Sequence, residues 1–483
     1  MGLRSPQFMS SSWFKKCFLN GETKRGKGAA DQRQQQQQRA EEGGSQQPKP
    51  PPAPLQYRRP KFLRGAVCAE KLPGKRPIGC PSRDRPLQWN TGYAETINAE
   101  KSEFNEDQAT CCQISIRKRP FGRGEEEDQE WLILCSTEYL TGYYWALFDG
   151  HGGSEASIMA SNYLHCCIKQ KLEDVIEGIT EDNPPMHLSG QCICQNDPLF
   201  VEEKKIQQEN VVIGALESAF QECDKMIGQE MKASNQSAGC TALVALYLQG
   251  RLYVANAGDS RVLLVRKRSI VPLSNEFTPE TDRKRIQHLA FIYPKLLADE
   301  FTRFEFPRRL KGDDVGQKVL YRDYSMEGWG YKTVMKEDLK YPLIHGHGKQ
   351  ARLLGTLAVS RGLGDHQLKV IETNIEIKPF LSCIPKVEVF DLTSENVNED
   401  DVLIMATDGL WDVLSNEDVA QIVRNFLQNN TTDPYRFSEL AKLLVQKARG
   451  KEDGYYWIKD SKEPASYDDI SVFAIPLYNK NEC

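Results

Sequence analysis

No apolar run in this 483-residue chain approaches the ~20 residues needed to cross a bilayer; the longest, such as Trp131–Cys135 and Ala242–Leu248, are strand-sized. Histidine is scarce, at seven. The fourteen cysteines contain no C-x-x-C pair and make up about 3% of the chain, far below a disulfide scaffold. Zinc sites of the Cys/His type are therefore not expected, and a reducing compartment, cytoplasmic or nuclear, fits best. Net charge is also small, −5 from 62 basic and 67 acidic residues, which argues against a protein that holds nucleic acid by bulk charge. The N-terminus has no apolar core for a secretory signal, and Pro6 stands where N-myristoylation needs Ser or Thr.

The charge is unevenly spread. Residues 1–85 hold 18 Lys/Arg, 6 Asp/Glu and ten of the 25 prolines, leaving 44 basic against 61 acidic residues for the remainder. With the Gln34–Gln38 run and the Pro-rich stretch Pro48–Pro54, residues 1–86 read as a disordered basic tail, either a linker or a ligand for Pro-motif-binding partners. A globular unit is expected over 87–478, with 479–483 as a short tail. Within it, Cys112–Arg117, Trp131–Cys135, Tyr143–Phe148, Thr241–Leu248, Arg251–Asn256, Arg261–Val265, Val387–Leu392, Val402–Thr407 and Ile470–Pro476 read as strands, Trp131–Cys135 as the neighbour of the first. Helical spacing covers 154–179, Val211–Lys232, Asn416–Leu427 and Ser438–Ala448. Strands cluster and helices come in pairs, so the fold class is α+β, with antiparallel sheets flanked by helices.

Acidic residues recur at strand ends: Asn105-Glu106-Asp107, Asp149-Gly150-His151-Gly152-Gly153, Gly258-Asp259-Ser260-Arg261, Asp408-Gly409-Leu410-Trp411-Asp412 and Tyr467-Asp468-Asp469. Any one is an ordinary turn. Five together, each beside an apolar run, offer the all-oxygen ligand set that suits Mg²⁺ or Mn²⁺. A water held between two such cations ionises near neutral pH and can attack phosphorus in line, while the cations offset charge on the phosphoryl oxygens. His151, the histidine inside the set, is placed to protonate a leaving oxygen.

In this order, with Gly239-Cys240-Thr241 and the segment Thr356–Asp365, the motifs resemble the metal-dependent protein phosphatases of type 2C, over roughly Asn90 to Leu477. Pro185–Leu188, Phe277–Thr281 and a long insertion resemble the branch containing the eta isoform. The resemblance implies a central antiparallel β-sandwich flanked by helix pairs (αββα) and hydrolysis of phosphoserine and phosphothreonine in protein substrates. It implies that Asp149 bridges two metals, that Glu106 and the Gly150 carbonyl serve one, and that Asp408 and Asp468 serve the other. Asp107 would orient water, and Asp259 and Asp412, with Asp408, would hold a weaker third ion.

The chain departs from the family at two positions. The phosphate-binding Arg expected four residues before Glu106 is Ser102, so the adjacent Lys101 is the candidate phosphate-binding cation. Asp469 stands where Asn usually follows the metal Asp; it is expected either to tighten metal binding or to point to solvent. The connection at about 267–350 is longer than usual and is expected to enlarge a flap beside the active site, with Arg308 and Arg309 as further candidate cations. Two other readings stand beside the phosphatase: a pseudophosphatase that binds phosphoproteins without turnover, and a hydrolase of small phosphoesters.

Overall fold

The computed structural model describes residues 59–63, 76–117, 139–180, 205–395 and 397–478. Eleven main strands are β1 (Ile78–Gly79), β2 (Gly92–Thr96), β3 (Gln108–Arg117), β4 (Tyr139–Phe148), β5 (Ala242–Leu248), β6 (Arg251–Ala257), β7 (Arg261–Val265), β8 (Ile270–Pro272), β9 (Lys386–Asp391), β10 (Val402–Ala406) and β11 (Ile470–Pro476). The helices are α1 (Glu155–Asp174), α2 (Ile176–Thr180), α3 (Gln208–Ser234), α4 (Arg283–Ile292), α5 (Asp408–Trp411), α6 (Asn416–Asn429) and α7 (Arg436–Arg449). One sheet has the order β1-β2-β11-β10-β7-β8 and the other β9-β6-β5-β4-β3, with every neighbouring pair antiparallel.

Period-two alternation sorts the side chains into layers. On β4, Tyr144, Ala146 and Phe148 pack with Leu164, Ile168 and Phe220 of α1 and α3. The intervening Trp145 and Leu147 turn to the other face and meet Tyr93, Met405 and Phe473 of the opposite sheet. On that sheet Ile404 and Val472 pack outward against Val419, Leu440 and Leu444 of α6 and α7. The result is the expected αββα sandwich, each buried Leu or Phe contributing about 1.5–3 kcal/mol. Helix α6 starts where a capping box forms: Ser415 Oγ accepts from the Asp418 N–H at 3.1 Å and Asp418 Oδ2 accepts from the Ser415 N–H at 3.0 Å.

β3 pairs with Tyr139–Phe148, from Gln108↔Phe148 to Arg117↔Tyr139, and the strand expected at Trp131–Cys135 lies outside the described residues. Two sequence expectations change. The insertion has an apolar cluster of its own, including Ile286, Leu297, Leu343, Leu353, Ile377 and Phe380, so its packed unit runs past residue 350. The second concerns the tail. Of the expected tail, residues 59–63 and 76–86 are described, and they pack with the catalytic unit. Leu63 lies in the inter-sheet core and Ile78 pairs with Thr96. Arg76 is 2% exposed and donates to the carbonyls of Ile97 (2.5 Å), Ser466 (2.6 Å) and Asp468 (2.6 Å). A basic, proline-rich composition concealed this because the anchoring residues are few and separated. Residues 1–56 and 479–483 lie outside the described residues.

Deletion of 1–56 removes none of these contacts and should leave the thermal midpoint within a few degrees of the full chain. Deletion of 1–85 removes Leu63, Arg76 and β1 and should cost at least about 3 kcal/mol in denaturant unfolding. Equal stabilities of the two truncations would contradict this boundary.

Candidate active site

The strand registers gather the acidic motifs at one edge of the sandwich. Gln108 pairs with Phe148, so the residues before β3 and after β4 are neighbours. Leu147↔Leu243 and Ala242↔Ala257 bring the end of β6 to the same edge. In the other sheet Arg261↔Ala406 and Ala406↔Val472 align the start of β7, the end of β10 and the start of β11. Chain 97–107 crosses from one sheet to the other and carries Glu106 and Asp107.

Oxygen atoms of Asp149, Asp259 and Asp408 all lie within 4.8 Å of one another. Burial, followed by mutual repulsion, pushes the Asp149 and Asp408 carboxyls well above the usual carboxylate range. Burial raises Asp259 to about 6. Glu106 rises to about 7, again chiefly through burial, with Lys101 opposing and Asp469 reinforcing the shift. Asp107 is buried and also raised; its Oδ2 accepts from Thr407 Oγ1 at 2.9 Å, whereas its Oδ1 has no hydrogen-bond partner. A buried carboxylate oxygen without a donor and three carboxylates in near contact form a donor set that fits hard divalent cations.

The backbone around these oxygens is closely fitted. A Cβ at Gly150 would stand 2.3 Å from the Glu106 carbonyl oxygen, so only glycine permits this approach. The same carbonyl accepts from Ser157 Oγ at 2.6 Å, tying the Glu106 loop to α1. Asp149 O accepts from the Thr241 N–H at 2.8 Å.

His151 Nε2 donates to Asp365 Oδ2 at 2.7 Å. Burial opposes the imidazolium, but Asp365 outweighs it, with help from Glu106 and Asp259, and the imidazole pKa is raised. Asp365 is 3% exposed, and a Cβ at Gly239 would stand 2.0 Å from its Oδ2 and 2.5 Å from His151 Nε2. Asp365 lies in the Thr356–Asp365 motif, but sequence spacing alone gave it no role, because the pairing spans 214 residues.

The remaining candidates lie around the three-carboxylate group. Asp468 accepts from Lys101 Nζ at 2.8 Å on both oxygens, which places the candidate phosphate-binding cation at the rim of the site. Asp412 is half exposed and accepts from Lys349 Nζ at 2.8 Å. The insertion thus reaches the site through Lys349, which sequence reasoning did not single out. Arg308 and Arg309 are engaged elsewhere: Arg308 pairs with Asp314 at 2.6 Å and Arg309 lies over the Tyr341 ring at 4.4 Å. His345 stacks on Tyr341, and His347 pairs with Glu280. Ser102 Oγ donates to Phe104 O at 2.6 Å and accepts from Asn98 Nδ2 at 2.8 Å, so an Arg at this position would break the loop's own bonds. Asp469 does not point to solvent: it is buried and accepts three hydrogen bonds.

A carboxylate-lined edge on an αββα sandwich fits a metal-dependent phosphoester hydrolase. A family model described as "Protein phosphatase 2C" matches residues 187–291 and 343–453, leaving 292–342 of the insertion unmatched. The chain is 58% identical over 480 residues to Protein phosphatase 1M of Homo sapiens, covering 98% of this chain and 99% of that relative. It is 45% identical over 475 residues to Protein phosphatase 1H of Rattus norvegicus, covering 88% and 92%. To Protein phosphatase 1J of Rattus norvegicus it is 43% identical over 439 residues, covering 88% and 86%. The chain belongs to the protein phosphatase 2C family and is a metal-dependent protein serine/threonine phosphatase.

Two outcomes follow from the electrostatics. Without metal, Glu106, Asp259 and Asp469 titrate near 6–7 in the folded chain and near 4 when unfolded. The folded state then binds more protons through this window, so metal-free stability should fall as pH rises from about 4.5 to 7.5. Calorimetric melting should show this, with Mn²⁺ raising the midpoint more at the upper pH; a metal-free midpoint that climbs with pH would contradict it. Asp365→Asn should move the basic limb of the kcat profile to lower pH, since it removes the main group that holds the His151 proton. An unmoved limb would assign that limb to another group.

Proposed function

We propose that this phosphatase uses Mg²⁺ or Mn²⁺ held by Glu106, Asp149, the Gly150 carbonyl, Asp408 and Asp468, with Asp259 as a ligand to a weaker third ion. The observation that carries the reading is the close approach of the Asp149, Asp259 and Asp408 oxygens in a half-buried setting, a mutual repulsion that a divalent cation would offset. Such cations, when bound, polarise a water nucleophile and offset charge on the phosphoryl oxygens. Asp107, with its partnerless Oδ1, would accept a hydrogen bond from a water nucleophile at the site. His151, held by Asp365, donates its proton to the departing Ser or Thr oxygen. Lys101 Nζ faces the phosphate from the rim. Asp412, bonded to Lys349, contributes to the third ion only after that pair opens. The Pro48–Pro54 run offers a docking segment for Pro-motif-binding partners, supported by composition, and a cytoplasmic or nuclear setting follows from cysteine usage.

The test is hydrolysis of a phosphoserine peptide and an aryl phosphate with Mn²⁺ and with chelator. Wild type should turn over both, chelator should abolish both, and Asp149→Ala should reduce both to background. His151→Ala should slow the peptide by ~10²–10⁴ while sparing the aryl ester, whose leaving group needs little protonation. Equal losses would place His151 in metal support, and Asp149→Ala turnover near wild type would remove the two-metal assignment.

A further inference from the structure

The residue after the metal ligand Asp468 departs from the family's usual Asn, and its surroundings give the departure a reason. Asp469 is 4% exposed. Its Oδ2 accepts from the Glu106 N–H at 3.1 Å. Its Oδ1 accepts from the Asn98 N–H at 2.8 Å and from Asn98 Nδ2 at 3.0 Å. Three donors converge on one side chain from the loop that crosses between the sheets. Asn98 passes the constraint on: its Oδ1 accepts from the Lys101 N–H at 2.7 Å and the Ser102 N–H at 3.0 Å. The Lys101 ammonium lies at 2.8 Å from both Asp468 oxygens. The circuit therefore runs from Asp469 to Glu106 on one side, and through Asn98 and Lys101 back to Asp468 on the other.

We propose that Asp469 is a positioning residue for the phosphatase reaction, its carboxylate setting Glu106 at the metal site and, through Asn98, setting Lys101 beside Asp468. Only an acceptor with two oxygens meets all three donors. An amide at 469 has one oxygen, and its NH₂ faces either the Glu106 N–H or the two Asn98 donors. The carboxylate is thus neither a further metal ligand nor a surface charge. It holds Glu106 through the backbone N–H, beside the Ser157 bond to the Glu106 carbonyl, and couples that ligand's placement to the rim cation. Groups that orient metal ligands from outside the coordination sphere typically change metal affinity by 10–100-fold when removed.

The inference rests on Glu106 serving a metal, and the experiment separates the two claims. Mn²⁺ is titrated calorimetrically into the stripped full-length chain, as wild type, Asp469→Asn, Asp469→Glu, Asn98→Ala and Asp149→Ala, with metal-free melting as a fold control. Asp469→Asn removes one charge, whereas Asp469→Glu keeps the charge and displaces it. Both should weaken Mn²⁺ binding about tenfold or more. Asn98→Ala leaves Asp469 on Glu106 but frees the Lys101 loop, so it should raise KM for a phosphoserine peptide several-fold at saturating Mn²⁺ with kcat little changed. Mn²⁺ affinity within twofold of wild type in both Asp469 variants overturns the proposal. So does full affinity in Asp469→Glu with loss in Asp469→Asn, since charge alone would then explain the effect. If the Asp469 variants fail to fold, Asn98→Ala decides, and an unchanged KM there overturns the link to Lys101. Should Asp149→Ala bind Mn²⁺ like wild type, the metal assignment fails instead, whatever Asp469 does.

Discussion

Like charges forced together at the edge of a β-sandwich are the constraint on which the rest of this structure depends. Antiparallel registers in two sheets bring ends of β3, β4, β6, β7, β10 and β11 to one edge, and four of the connections there carry the carboxylates of Asp149, Asp259, Asp408 and Asp468. The crossing segment adds Glu106 and Asp107. Burial and mutual repulsion push most of these groups toward their protonated forms. An arrangement this unfavourable in isolation becomes favourable once divalent cations enter it, and the same field that holds the cations lets them act on a phosphate.

Cationic side chains surround the carboxylates without filling their centre. Lys101 lies on Asp468, Lys349 on Asp412, and Arg76 holds the Asp468 backbone carbonyl. Each comes from a different part of the chain: the crossing loop, the insertion and the N-terminal segment. The insertion is therefore more than a surface addition, since it packs around its own apolar cluster and reaches a carboxylate of the site. His151 is held by Asp365 at a strand pairing that leaves no room for a side chain at position 239.

Much of this was legible in the sequence. Alternating Tyr144, Ala146 and Phe148 against Trp145 and Leu147 marked a strand buried on both faces, and the Asp-Gly pairs after apolar runs marked the site. What escaped has one physical character: it depends on contacts between residues far apart in the chain. Arg76 sits in a stretch whose composition resembles a tail, and its value comes from three carbonyls, two of them some 390 residues away. Asp365 and Lys349 meet their partners across 214 and 63 residues. β3 pairs with Tyr139–Phe148, a register that local hydrophobicity alone does not specify.

The central claim is that the site is a crowd of carboxylates kept partly protonated until cations replace the protons. Proton release on Mn²⁺ binding tests it most directly, measured by titrating the metal-free chain near pH 6 in two buffers of different ionisation enthalpy. The account predicts a net release of protons that declines as pH rises above about 7.5, where Glu106, Asp259 and Asp469 are already ionised. Binding of Mn²⁺ near pH 6 with no proton release would contradict it, since the carboxylates would then be ionised before the metal arrives.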